Sequence, residues 1–260
     1  MNYTLPFIPS RPEKPRESGI TMVMDKGLSL RECENMVSAG GYIADFVKFG
    51  FGTSAVVGSL EDKVKVFHRA GIRVYLGGTL FEAFVIRGMF DDYVKLAKRL
   101  KLETVEVSDG SMKMEHSQKC EYIKKLAQDF TVLSEVGSKD ENVHLSTAEW
   151  INGMKSELEA GAFKVIAEAR EGGNVGIFNS AGKAESELID EIIAKVGADS
   201  VLWETPLKSQ QVWFIKKIGA NANLGNVAPN ELIALEALRL GLRGDTFFEY
   251  LPEELKKNKI

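Results

Sequence analysis

Eight short β-rich runs begin near Ile20, Asp45, Arg73, Thr104, Thr131, Lys164, Ser200 and Asn221, and segments of helical periodicity separate them. Eight starts over about 200 residues give a mean spacing of roughly 29, the length of a strand, a loop, a helix and a return loop. That recurrence predicts a parallel sheet of eight β/α units, the number that closes a barrel. Runs such as ITMVM, DFVKF, RVYL, TVLSEV and SVLWE are rich in β-branched residues, as strands covered on both faces should be. Between two of them, Leu188, Ile189, Ile192, Ile193 and Val196 fall on one face of an amphipathic helix laid on a sheet. The competing topology, an open doubly wound sheet, gathers its site at one switch point. Here polar residues stand at nearly every strand end, which favours closure. The expected fold is an α/β (β/α)8 TIM barrel, a single domain over 20–248.

The flanks read differently. Residues 1–19 hold four of the seven prolines, Pro6, Pro9, Pro12 and Pro15, and the charged string Arg11 to Glu17. They read as an extended arm that either hangs free or docks through Phe7 and Ile8 on the barrel or a neighbouring subunit. Residues 249–260 read as a polar tail. Thirty-three Lys and Arg against 37 Asp and Glu give a formal charge of -4, which offers no global field for a polyanion, so nucleic acid is not an expected partner. Cys33 and Cys120 form no CxxC pair and complete no zinc site, which suits a reducing cytoplasm. With no run of 18 apolar residues and no apolar stretch of a signal peptide near the start, neither membrane association nor export is expected.

In a barrel of this kind the loops after the strands build the active site. Strand 1 ends in Asp25-Lys26-Gly27, and strand 2 carries Lys48 before Gly50-Phe51-Gly52. Strand 3 ends in Gly77-Gly78-Thr79 with Glu82 nearby; strand 4 carries Glu106 and ends in Ser108-Asp109-Gly110. Strand 5 brings Glu135 and then Gly137-Ser138-Lys139, strand 6 Glu168 and Arg170, strand 7 Glu204, and strand 8 Asn223 before Gly225-Asn226. Carboxylates within apolar strands cost several kcal/mol unless paired or metal-bound, so Glu106, Glu135, Glu168 and Glu204 require cations. One reading is a buried lattice with Lys26, Lys48, Lys139 and Arg170 that only holds the barrel together. The other, favoured for the set as a whole, is a metal site and an anionic substrate. Oxygen ligands without clustered Cys or His suit Mg²⁺ or Mn²⁺, and several basic groups at one mouth suit a small, multiply charged anion.

Other signals carry less. The string Gly50 to Ala55 fits a GxGxxA pattern but follows the second strand and lacks the acidic residue expected about 20 positions on. His68, His116 and His144 have no ligand spacing and read as surface or cap residues.

Taken together, the strings MDKGL (24–28), DFVKFGFGTSAV (45–56), VYLGGTLFE (74–82), VEVSDGS (105–111), SEVGSK (134–139), ETPLKSQQ (204–211), NLGNVAP (223–229) and RLGLRGDTF (239–247) resemble the phosphosulfolactate synthase family, over about residues 18–248. The resemblance implies a (β/α)8 barrel that adds sulfite to C3 of phosphoenolpyruvate with Mg²⁺, giving (2R)-phospho-3-sulfolactate for coenzyme M biosynthesis. It implies Glu135 as a metal-site carboxylate, with Asp25, Glu168 and Glu204 as further candidates, and Lys139 as general acid, with Lys26 and Lys48 as the other catalytic lysines. Lys26, Lys48 and Arg170 would hold the substrate's anionic groups, and Ser108, Asn223 and Gly225 are expected to line it. Ser138 departs from the family, in which a second basic residue is common there. The family's barrels associate, so a homo-oligomer is expected, with a trimer as one candidate. The arm Arg-Pro-Glu-Lys-Pro-Arg (11–16) also resembles a heat-stress-associated plant branch, which gives the alternative of a catalytically divergent barrel. Another metal-dependent lyase acting on small phosphorylated acids is the third reading.

Overall fold

The computed structural model describes residues 4–138, 145–170 and 172–259. Its strands are β1 (Thr21–Asp25), β2 (Phe46–Phe49), β3 (Arg73–Leu76), β4 (Thr104–Val107), β5 (Thr131–Val136), β6 (Lys164–Ala167), β7 (Val201–Glu204) and β8 (Leu224–Val227). They pair in parallel in the order β3-β2-β1-β8-β7-β6-β5-β4, and β3 packs beside β4 at the two ends of that order, nearly closing a (β/α)8 barrel. The helices are α1 (Leu30–Gly40), α2 (Leu60–Arg69), α3 (Gly78–Val85), α4 (Phe90–Arg99), α5 (His116–Leu126), α6 (Thr147–Glu159), α7 (Ser186–Lys195), α8 (Lys208–Ile218), α9 (Leu232–Arg239) and the short α10 (Glu253–Lys256) within the C-terminal tail. Local signals start two of them. Ser29 with Glu32, and Ser146 with Glu149, form reciprocal capping boxes at α1 and α6. None of the described helices is long and apolar enough to cross a membrane.

Ile20, Met22, Phe46, Tyr75, Leu133, Ile166 and Leu202 fill the barrel interior. Side chains alternate along a strand, so the residues two positions beyond Phe46, Leu133, Ile166 and Leu202 face the same axis one layer higher. Those residues are Lys48, Glu135, Glu168 and Glu204. The apolar plug thus carries a charged layer on its C-terminal side.

At the opposite end, the arm lies against the barrel floor. Arg11 reaches Glu236 at 3.0 Å and the carbonyl of Ala220, and Arg16 pairs with buried Asp45 at 3.1 Å. Of the two residues through which docking was the alternative to a free arm, Phe7 is half exposed and Ile8 partly buried; Arg11, Lys14 and Arg16 supply the arm's polar contacts, because the floor presents carbonyls and carboxylates. β8 starts at Leu224, later than the expected Asn221. The polar residues before it are spent on the floor: the side-chain oxygen of Asn223 accepts from the Ile20 N–H at 3.0 Å, and its amide nitrogen donates to the carbonyls of Asp199 and Val201. The substrate contact expected of Asn223 is therefore corrected, since its side chain serves the end of the barrel away from the strand-end loops.

Candidate active site

Lys48 is the centre of the charged layer. Its Nζ lies 3.0 Å from Glu106 Oε2, 3.2 Å from Glu135 Oε2 and 3.5 Å from Glu204 Oε1, and all four side chains are buried. Burial alone would lower the Lys48 pKa, but the attraction of Glu106, Glu135 and Glu204 overcomes it and holds the group well above its ordinary value. Lys48 is thus a fixed positive charge, which suits it to holding an anion and not to releasing a proton near neutrality.

Ser108 ties this layer to Glu82 of α3. Its hydroxyl lies 2.6 Å from Glu82 Oε1 and 2.9 Å from Glu135 Oε1, and Glu82 Oε2 accepts from the Ser111 N–H at 2.8 Å. Glu204 accepts from the Ala169 N–H at 3.0 Å, and Glu168 from the N–H of Arg170. Gly137 lets the chain leave β5 across this edge: its φ is +133°, and a Cβ there would meet the Cβ of Glu168 at 2.6 Å.

Met24, Lys48, Phe51, Gly78, Thr79, Glu135, Glu168, Arg170, Glu204 and Asn226 surround a cavity of about 200 Å³ at the mouth. Three of its lining residues, Phe51, Arg170 and Asn226, have positive φ without being glycine. Such conformations persist where surrounding structure over-determines them, and they gather at functional sites. The oxygen-bearing side chains around the cavity are three carboxylates, the Asn226 carboxamide and the Thr79 hydroxyl, a donor set that suits a hard divalent cation. Among the described residues no three His, Cys, Asp or Glu form a cage for an ion by themselves. That is compatible with Mg²⁺, which takes one or two carboxylates and keeps several waters.

The expected residues divide as follows. Lys48, Glu135, Glu168, Arg170 and Glu204 meet at the cavity, with Ser108 directly behind it. Lys26 stands exposed in the loop after β1. Asp25 is wholly buried beside Lys63 of α2 at 2.7 Å, and its Oδ1 accepts from the Gly27 and Leu28 N–H groups at 2.8 Å each. Asp25 is used by the protein itself and does not line the cavity. Gly225 faces the barrel interior, where a Cβ would lie 2.9 Å from Met22 Cε, so its role is close packing. Lys139 and His144 lie outside the described residues.

Sequence reasoning left out of the site Glu82, Asn226 and the buried Lys119, whose Nζ donates to Asp109 at 2.8 Å and to the Glu135 carbonyl at 2.6 Å. Glu82 and Asn226 each lie within a quoted strand-end string. Lys119 gave no signal, because a lysine on an amphipathic helix reads as solvated.

The profile of the family described as (2R)-phospho-3-sulfolactate synthase matches residues 9–245. The chain is 40% identical over 244 residues to the phosphosulfolactate synthase of Bacillus subtilis, covering 93% of this chain and 97% of the relative. It is 42% identical over 237 residues to that of Methanocaldococcus jannaschii, covering 89% and 94%. Protein HEAT-STRESS-ASSOCIATED 32 of Arabidopsis thaliana is 23% identical over 260 residues, covering 88% of each chain. Among solved structures, the 3-hexulose-6-phosphate synthase of Salmonella typhimurium superposes with a TM-score of 0.55 at 14% identity, over 86% of this chain and 100% of that one, a likeness of fold alone.

Proposed function

The chain belongs to the (2R)-phospho-3-sulfolactate synthase family of enzymes, and on that premise we propose that it adds sulfite to C3 of phosphoenolpyruvate with Mg²⁺, or Mn²⁺ in its place, to give (2R)-phospho-3-sulfolactate. The sulfur lone pair forms the bond to C3, the C2–C3 π electrons move onto C2 and the adjoining carboxylate, and a proton then arrives at C2; the phosphate ester stays intact. A bound divalent cation would supply positive charge opposite the developing enediolate, with Glu135, Glu168 and Glu204 as the carboxylates placed to hold it.

The protein's own groups do the rest. Lys48 keeps a permanent positive charge at the floor of the cavity, where negative charge accumulates. Arg170, at the rim, suits the phosphate, carboxylate or sulfonate, and Lys26 stands near enough in the chain to Asp25 for its loop to be held in place. Lys139 is the proton donor that the family resemblance implies. The observation that carries this reading is the buried Lys48 surrounded by Glu106, Glu135 and Glu204 at the mouth of a barrel of this family.

Incubation with phosphoenolpyruvate, sulfite and Mg²⁺, followed by ³¹P NMR, should show a new phosphorylated sulfonate. EDTA should abolish it, and Mg²⁺ or Mn²⁺ should restore it. A protein that leaves phosphoenolpyruvate unchanged would favour the catalytically divergent alternative, while turnover undiminished in chelator would sink the metal role. The same reading includes a homo-oligomer; a light-scattering mass near the 28.7 kDa of one chain would count against it.

A further inference from the structure

Asn226 holds a left-handed conformation, φ +55°, at the C-terminal end of β8. Asparagine tolerates that region better than most residues, which accounts for the backbone. It does not account for the side chain. Asn226 is 7% exposed, lines the mouth cavity, and its Oδ1 is buried with no hydrogen-bond donor among the described residues. Glycine would adopt the same backbone without burying an unpaired oxygen. The carboxamide therefore matches something that enters the cavity.

The neighbouring groups narrow what that is. Lys48 Nζ is drawn toward the carboxylates of Glu106, Glu135 and Glu204, and it makes no hydrogen bond to Asn226 Oδ1. Phosphoenolpyruvate and sulfite, as anions, bring acceptors and would repel an inward-facing amide oxygen. A cation satisfies it. A carbonyl oxygen also adds a ligand without adding charge to a mouth that already holds Glu135, Glu168 and Glu204.

We propose that Asn226 Oδ1 is a neutral oxygen ligand of the divalent cation at the barrel mouth, an inference that rests on the metal-dependent reading above. The carboxylates, which do not form a cage by themselves, are completed by it.

The test is Mn²⁺ titration of the substrate-free protein, following the EPR signal of the free ion, for wild type, Asn226→Gly and Asn226→Asp, with a thermal melt of each. Asn226→Gly keeps the backbone conformation and deletes the amide. It should bind Mn²⁺ about tenfold more weakly or worse with an unchanged or higher Tm. Asn226→Asp restores an oxygen at the same position and should recover most of the affinity. Equal Mn²⁺ affinity in wild type and Asn226→Gly overturns the assignment of Asn226 while leaving the metal-dependent reading in place. A wild-type protein that binds no Mn²⁺ overturns both.

Discussion

The Nζ of Lys63 lies 2.7 Å from Oδ2 of Asp25, and neither side chain has exposed surface. The other carboxylate oxygen fixes the Gly27 and Leu28 N–H groups, so the pair braces the loop that carries Lys26 from behind. Removing one member of a buried ion pair costs about 3–5 kcal/mol, because the remaining charge is left in a poorly solvated place. Asp25→Asn should lose stability of that size in denaturant unfolding, while the folded protein keeps its Mn²⁺ affinity. Wild-type stability combined with lost Mn²⁺ binding would return Asp25 to the metal site.

Lys48 makes a prediction in alkaline solution. Its folded-state pKa is raised above the ordinary 10.5. The stability it contributes is therefore complete below the unfolded lysine value and disappears as pH climbs through the folded one. Tyr75, buried in the interior and also raised above its ordinary value, first by burial and then by Glu106, acts in the same direction. Wild-type urea stability should decline above about pH 10.5. Lys48→Met should be less stable by about 3–5 kcal/mol at pH 8 and should decline less steeply with pH, since that contribution is already missing. Parallel pH profiles for the two proteins would mean that the three carboxylates do not hold the Lys48 proton.

Lys139 can be separated from the anion-holding lysines by kinetics. If it delivers the proton to C2, Lys139→Ala should lower kcat by about 10²-fold or more with phosphoenolpyruvate binding largely intact. If it only holds substrate charge, KM should rise and kcat survive.

The barrel was legible because strand composition and the steady spacing of strand starts are local properties; β1 to β7 begin within one residue of the places the sequence indicated. The charged layer was legible for a related reason: Glu106, Glu135 and Glu204 are costly within apolar strands, and that cost is visible in the sequence. What escaped depends on direction. Asn223 and Asn226 are both polar residues in one short string, and only the backbone turn at Asn226 and the hydrogen bonds of Asn223 show which end of the barrel each serves. Lys63 and Lys119 lie on helices with ordinary charged neighbours, and nothing in their periodicity distinguishes a buried ammonium from a solvated one.

Lys119 yields the prediction that best separates support of the fold from support of the site. Besides its bonds to Asp109 and the Glu135 carbonyl, its Nζ lies 2.9 Å from Glu157 Oε1, and both Lys119 and Glu157 are buried. Burial raises the Glu157 carboxyl, and Lys119 partly offsets that rise, so Lys119→Met should cost about 3–5 kcal/mol of stability by leaving Glu157 without its counter-charge. The same change frees the end of β5 that points Glu135 at Lys48. Misplacement of a reacting group by about 1 Å can cost about 10²-fold in rate. The double variant Lys119→Met with Glu157→Gln removes the orphaned charge and should recover much of the stability, yet nothing in it restores the hold on the Glu135 carbonyl. Stability should therefore return in denaturant unfolding while kcat stays about 10²-fold low. Recovery of kcat in step with stability would reduce Lys119 to a purely structural residue.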